Sequence, residues 1–182
     1  LQLSRDIEKL RRELEERESV IEEQKTVISD LDETKQKIES SRKEHIEAQE
    51  IKIEEIEGKL KVTFVDKILF NTGSVEINQR GKEVLLAIAG SLNENESQNI
   101  LVEGHTDNVP IGMVLKDRFP TNWELSAARA TAVVRFLQDN GGLEPERLSA
   151  SGYSYYRPVA SNDTEEERSQ NRRIEIILIP PR

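Results

Sequence analysis

The chain has 182 residues and carries 26 Lys and Arg against 35 Asp and Glu, a formal net charge of −9. That balance argues against a nucleic-acid partner, which requires a basic stripe. The absence of Cys removes disulfide and thiol chemistry and leaves the redox compartment open. The sequence holds no apolar run of about 18 residues or more, so membrane attachment is expected only through segments outside this chain. It begins at Leu1 rather than Met and is read as a fragment or mature form of something longer.

Composition divides the chain near residue 60. Residues 1–59 hold 12 Lys and Arg against 18 Asp and Glu, no aromatic residue and no proline. Apolar residues recur there on a seven-residue repeat through Leu3, Ile7, Leu10, Leu14, Ile21, Ile28 and Leu31, with Arg17 and Gln24 at the other seam positions. This repeat predicts a left-handed coiled coil. Lys35, Ile38 and Arg42 weaken the seam, and it resumes one residue late at Ile46, Gln49, Ile53, Ile56 and Leu60, a stutter that unwinds the supercoil locally. Gly58 is read as the helix terminator. A continuous helix of this length would reach about 85–90 Å and could not be stable with its apolar stripe in water. The sequence therefore predicts a stalk over 1–59 that forms a homodimer. A helix packed on another protein or on its own domain is the alternative.

Residues 60–182 contain every aromatic and can bury a core. Leu60, Val62 and Phe64 alternate with polar neighbours, predicting a strand that runs to Phe70. Asn71 to Ser74 reads as a turn. Helical spacing follows over 81–92, then a short apolar strand over 99–103 that leads into Gly104-His105-Thr106-Asp107. A second helix is expected over 125–137, a strand over 148–152, a helical turn over 165–170 and a last strand over 173–179. The order β-α-β-α-β-(α)-β predicts an α+β domain, a mixed sheet with helices packed on it, preceded by the long helix. The connection from Asn108 to Thr121 is long for a compact domain, as functional loops often are. Asn122 is read as the N-cap of the following helix, with Glu124 in its first turn.

Four motifs stand in order: VEGHTDNVP at 102–110, NWELSAARA at 122–130, SGY at 151–153 and NRRIEI at 171–176. Together they resemble the OmpA C-terminal-like family of peptidoglycan-binding modules, and the wording NWELSAARA with its long preceding loop is most similar to MotB-like members. The resemblance covers nearly all of 60–182. It implies a non-enzymatic domain that binds the peptidoglycan stem peptide in the periplasm, anchoring a membrane-linked protein such as a stator subunit to the cell wall, with no cofactor. Other readings are an outer-membrane lipoprotein or OmpA-type wall tether, and a coiled-coil adaptor with a protein partner. The charged membrane helix of a stator subunit is not in this sequence, and the helical segment is longer than a stator linker leads one to expect.

By the same resemblance, the principal contacts to the diaminopimelate residue of the wall peptide fall on Asp107 and Arg129. Asn122 and Arg172 match further family positions, and the loop around Thr72 and Gly73 would supply backbone groups. The chemistry is coherent. The free end of diaminopimelate bears an ammonium and a carboxylate on one carbon. An ionised Asp only accepts hydrogen bonds, and an Arg matches a carboxylate through two parallel N–H bonds. Each residue taken alone has a plainer reading. Asp107 favours a turn, Arg129 could be a solvated helix residue paired with Glu124, Asn122 could simply cap, and Arg172 could sit on the surface at a strand start. His105 is read as a packed structural histidine, and Tyr153, Tyr155 and Tyr156 as core and rim aromatics. An enzyme is disfavoured. The only other histidine is His45, which leaves His105-x-Asp107 short of metal ligands, and no GxSxG nucleophile turn occurs.

Overall fold

The computed structural model describes residues 2–41, 51–94 and 96–179. A long helix, α1 (Gln2–Ser41), precedes a hairpin of β1 (Ile51–Ile56) and β2 (Lys59–Val65). A short helix α2 (Asp66–Leu69), α3 (Gln79–Asn93) and β3 (Asn99–His105) come next. The chain then passes through α4 (Met113–Lys116), α5 (Asn122–Asp139), β4 (Leu148–Gly152), α6 (Glu165–Asn171) and β5 (Arg173–Ile179). The five strands form one mixed sheet in the order β1-β2-β5-β3-β4. Only the β3–β4 pair is parallel.

The sheet buries one face by strict alternation. Leu60, Val62 and Phe64 of β2, Ile174, Ile176 and Leu178 of β5, and Ile100 and Val102 of β3 point into a single core. Val84, Leu85, Ile88 and Leu92 of α3 and Ala130, Val133 and Leu137 of α5 complete it. Each helix presents its apolar stripe at three- and four-residue spacing, which places those residues on one side.

The hairpin corrects the expected helix over 1–59. Glu57 and Gly58 both take positive φ, 53° and 70°, as a two-residue hairpin turn of type I′ requires. Gly58 therefore turns a hairpin rather than ending a helix. Ile51 and Ile53 face the core opposite Phe64 and Val62, while Ile56 is exposed. The open edge of β2 supplies hydrogen-bond partners that a helix here would forgo. The stutter and its seam positions Arg42, Ile46 and Gln49, with His45, lie outside the described residues.

Helix α1 is divided in what it contacts. Leu31, Thr34 and Ile38 are buried, with Val27 packed against the same core, so the last turns of α1 dock on the chain's own sheet and α3. Ile7, Leu10, Leu14, Ile21 and Ile28 are exposed. The heptad seam is thus unpaired within one chain up to Ile28.

Three smaller expectations change. The first strand stops at Val65 rather than Phe70, because residues 66–69 form α2 and Phe70 makes only an isolated bridge to Ile77. The loop over 108–121 contains α4 and is anchored by the buried Phe119. The cap of α5 is Thr121, not Asn122: the Thr121 hydroxyl accepts from Trp123 N at 3.1 Å and Glu124 Oε2 accepts from Thr121 N at 2.8 Å. The T-x-x-E spacing satisfies two backbone donors reciprocally, which Asn122 could not do.

Candidate functional site

Two glycines set how closely α5 approaches the sheet. A Cβ on Gly104 would lie 2.1 Å from the Ser126 carbonyl oxygen, and one on Gly152 would lie 2.5 Å from Ala127 N. Helix α5 thus rests directly on β3 and β4, and its first turns stand beside the end of β3. Asp107 follows that strand end, and Asn122 and Arg129 lie on the helix. The motifs GHTD, NWELSAARA and SGY meet because two of their glycines have no side chain.

Asp107 is buried and doubly engaged. Its Oδ1 accepts from Val109 N at 3.0 Å, and its Oδ2 accepts from Arg172 Nη1 at 2.6 Å. The turn role and the charge-pairing role therefore coexist in one side chain. Asn122, also buried, donates from Nδ2 to Val109 O at 3.0 Å and to Asp107 O at 3.4 Å. It fixes the loop that carries Asp107. Arg172 also pairs through Nη2 with Glu165 of α6. Burial works against the charged form of Arg172, but the bonds to Asp107 and Glu165 outweigh it and raise its pKa.

Arg129 has a different partner. Its Nη1 lies 2.8 Å from Asp66 Oδ1, and its Nε and Nη2 donate to Ser74 O at 3.2 and 3.1 Å. The guanidinium carbon also lies 5.0 Å from the centre of the Phe70 ring, a cation–π contact. Ser74 belongs to the loop of Thr72 and Gly73, whose exposed tip turns at Gly73 with φ of 70°. The loop is tied to Arg129 through a backbone oxygen, and Thr72 and Gly73 themselves stay open to solvent.

Asp66 was not singled out from the sequence. A buried arginine needs a buried carboxylate, and Asp66, the first acidic residue after β2, stands where one could be sought. Burial pushes its carboxyl above the ordinary value, opposed chiefly by the Arg129 guanidinium and then by Arg172. Burial likewise lowers the pKa of Arg129, with Asp66 opposing. Asp66 N donates to Arg172 O at 2.9 Å, so the two ion pairs are joined through the backbone. The result is a compact set of two carboxylates and two guanidiniums, Asp66, Arg129, Asp107 and Arg172, with Glu165 a third carboxylate at its exposed edge.

His105 is buried and stacked on Tyr153 with ring centroids 5.4 Å apart. Among the described residues, Glu103, His105 and Glu175 are the group with the composition of a metal site, their ligand atoms lying within 4.8 Å of one another. Their surroundings fit a metal poorly. Glu175 Oε1 accepts from Arg173 Nε at 2.7 Å, Lys61 lies 3.6 Å from its other oxygen, and Arg157 lies 3.9 Å from Glu103. Three cations already neutralise the two carboxylates, and a divalent ion would add repulsion.

Among the described residues no helix is long and apolar enough to cross a membrane. Comparison with known proteins places the chain in a family. The chain is 40% identical over 121 residues to Motility protein B of Bacillus subtilis (strain 168), which covers 66% of this chain and 45% of that protein. The chain thus spans under half the length of that curated relative. A MotB-like protein from Desulfovibrio vulgaris superposes with a TM-score of 0.76 at 29% identity, covering 87% of this chain and 96% of that one. The cell wall anchor of the T6SS from Pseudomonas aeruginosa superposes with a TM-score of 0.70 at 34% identity, covering 79% and 96%. The OmpA family model matches residues 69–172, the stretch that holds Asp107, Asn122, Arg129 and Arg172 between its bounds, and the chain belongs to the OmpA family.

Proposed function

We propose that this chain is a non-enzymatic periplasmic anchor that grips peptidoglycan through the diaminopimelate of its stem peptide. The observation that carries this reading is the gathering of two carboxylates, Asp66 and Asp107, with two guanidiniums, Arg129 and Arg172. A lone cation or anion would answer only one sign, whereas a ligand bearing an ammonium and a carboxylate on one carbon exchanges with both signs at once. Asp107 accepts from the ammonium. Arg129 uses three of its N–H groups on Asp66 and Ser74, and the two left of its five, with Arg172, receive the carboxylate. Asn122 holds the Asp107 loop, and Thr72 and Gly73 offer backbone groups at the rim. Non-covalent binding of this kind calls for no nucleophile or general base. The likeness to the T6SS cell wall anchor and to MotB-like proteins supports an anchoring role and favours attachment of an envelope machine of the MotB kind.

The exposed seam from Ile7 to Ile28 supports a homodimeric coiled coil that carries two such domains. Two grips on one stalk gain from effective concentration when the wall spacing permits. The division into a stalk over 1–59 and a domain over 60–182 is accordingly redrawn, with β1 and the end of α1 belonging to the domain.

The test is co-sedimentation with insoluble sacculi. The native chain is expected in the pellet, and Asp107→Ala and Arg129→Lys are expected in the supernatant while retaining native circular dichroism. Undiminished pelleting of both folded variants would refute the assigned site. Absence of pelleting by the native chain would favour a coiled-coil adaptor for a protein partner.

A further inference from the structure

Beside the charged set lies a group of aromatic rings that the core does not use. Trp123, Tyr155 and Tyr156 are 48%, 37% and 60% exposed. They stack on one another, Trp123 with Tyr156 at 5.3 Å between ring centroids and Tyr155 with Tyr156 at 4.4 Å, with interplanar angles of 26° and 27°. Large exposed rings gathered into one patch mark an interaction surface more often than a packing accident.

The stack is built on the elements that carry the candidate grip. Trp123 directly follows Asn122, whose amide holds the backbone of Asp107 and Val109. The loop bearing Tyr155 and Tyr156 is pinned at Ser154. Thr106 N donates to Ser154 O at 2.9 Å, one residue before Asp107, and Ser154 N donates to Ser126 Oγ of α5 at 3.0 Å. Ser154 is buried and holds φ at 54°, a left-handed conformation that a non-glycine residue keeps only where its surroundings enforce it. The backbone that carries the rings is therefore pinned next to the grip.

The chemistry of the stack selects its ligand. It contains no charged side chain. Its ring faces are apolar, and its rim carries two phenols, Tyr156 Oη donating to Tyr155 Oη at 3.2 Å and leaving the Tyr155 hydroxyl free to donate outward. A pyranose ring has the matching character, an apolar C–H face bordered by hydroxyls. Nucleobases also stack on such rings, but the net charge of −9 opposes a polyphosphate backbone.

We propose that Trp123, Tyr155 and Tyr156 form a subsite for the neutral sugar rings of the glycan to which the gripped peptide is joined. This rests on the peptide reading above. Charge selects the peptide tip, and the stack reads the other end of the same ligand.

Trp123 is the sole tryptophan of the chain, so its fluorescence reports directly on the subsite. The full chain would be titrated with three soluble ligands: a disaccharide-tetrapeptide containing diaminopimelate, the free tetrapeptide, and the disaccharide alone. Both glycan-bearing ligands are expected to change Trp123 emission, and the free tetrapeptide is not. By calorimetry, Trp123→Ala and Tyr156→Ala are each expected to weaken the disaccharide-tetrapeptide by about threefold to tenfold. Both variants should bind the free tetrapeptide within about twofold of the native chain, the size of a few tenths of a kcal/mol, which also shows them folded. Unchanged emission with both glycan-bearing ligands, or equal loss of the two peptides in the variants, would overturn the subsite. Asp107→Asn separates the two readings. Tetrapeptide binding that ignores this change overturns the grip, while the sugar-dependent emission still decides the subsite.

Discussion

Asp66 Oδ1 lies 2.8 Å from Arg129 Nη1, and this contact ties the end of β2 to the middle of α5 across the candidate site. Both side chains are largely buried, with relative exposures of 15% and 7%, so each charge depends on the other for compensation. Arg129 thus serves the fold as well as the proposed ligand.

Removing one member of that pair is expected to cost far more than removing both. Arg129→Ala leaves the Asp66 carboxylate buried without its guanidinium, a change expected to destabilise by about 3–5 kcal/mol. The double variant Asp66→Leu/Arg129→Met should recover most of that loss. Urea denaturation of the two variants checks it, and equal losses would contradict the pairing.

The contact of α5 with β3 predicts the effect of a single methyl. Gly104→Ala places Cβ within 2.1 Å of a helix backbone oxygen, which cannot move as a flexible side chain would. The helix must lift, at a cost of about 1–3 kcal/mol or more. Thermal unfolding measures the destabilisation. Sacculus binding should fall with it, because Asn122 and Arg129 move with the helix.

Low pH is expected to release Arg172 from Glu165. The bond from Arg172, followed by that from Arg168, holds the Glu165 carboxyl below its ordinary value of 4.5. A carboxyl depressed in the folded state contributes stability that is full above its unfolded pKa and is lost as pH falls through the lower folded value. The Glu165 contact should therefore persist at pH 4.5 and disappear below it. Carbon-detected NMR titration of the Glu165 carboxyl checks the sign, and a midpoint above 4.5 would contradict it. Glu165→Gln should abolish this titration while leaving the Arg172–Asp107 pair in place.

The two parts of α1 are expected to respond differently to mutation. Ile38 is fully buried, and Ile38→Ala should destabilise the domain by about 2–5 kcal/mol. Leu14 is 57% exposed in a single chain. Leu14→Asp should leave the fold of the domain intact and convert a dimer to a monomer, read by analytical ultracentrifugation. A native chain that sediments as a monomer at high concentration would sink the stalk reading.

How much could be read without the structure depends on the distance over which each feature is decided. The strands at 99–103, 148–152 and 173–179 and the helices at 81–92 and 125–137 carry local periodicity, and the structure has them within a few residues. Asp107, Asn122, Arg129 and Arg172 were marked by their resemblance to the family motifs, since residue type and spacing left each of them a plainer reading as well. The segment Ile51-Lys52-Ile53-Glu54-Glu55-Ile56 was not, since its isoleucines fit a continued heptad seam as well as an alternating strand. Only the open edge of β2, which accepts Ile51 opposite Phe64, decides between them.

The partners of the site were decided in the same way. Sequence alone determined that an acceptor-only Asp and a forked Arg stand in the family motifs, and that an acidic, cysteine-free chain carries a charged helix before its domain. Tertiary structure alone decided that Arg129 pairs with Asp66, that Asp107 pairs with Arg172, and that α1 both docks and projects. An ion pair between residues far apart in sequence leaves no periodic trace, because the energy of burying a charge depends on which carboxylate or guanidinium the fold brings within reach.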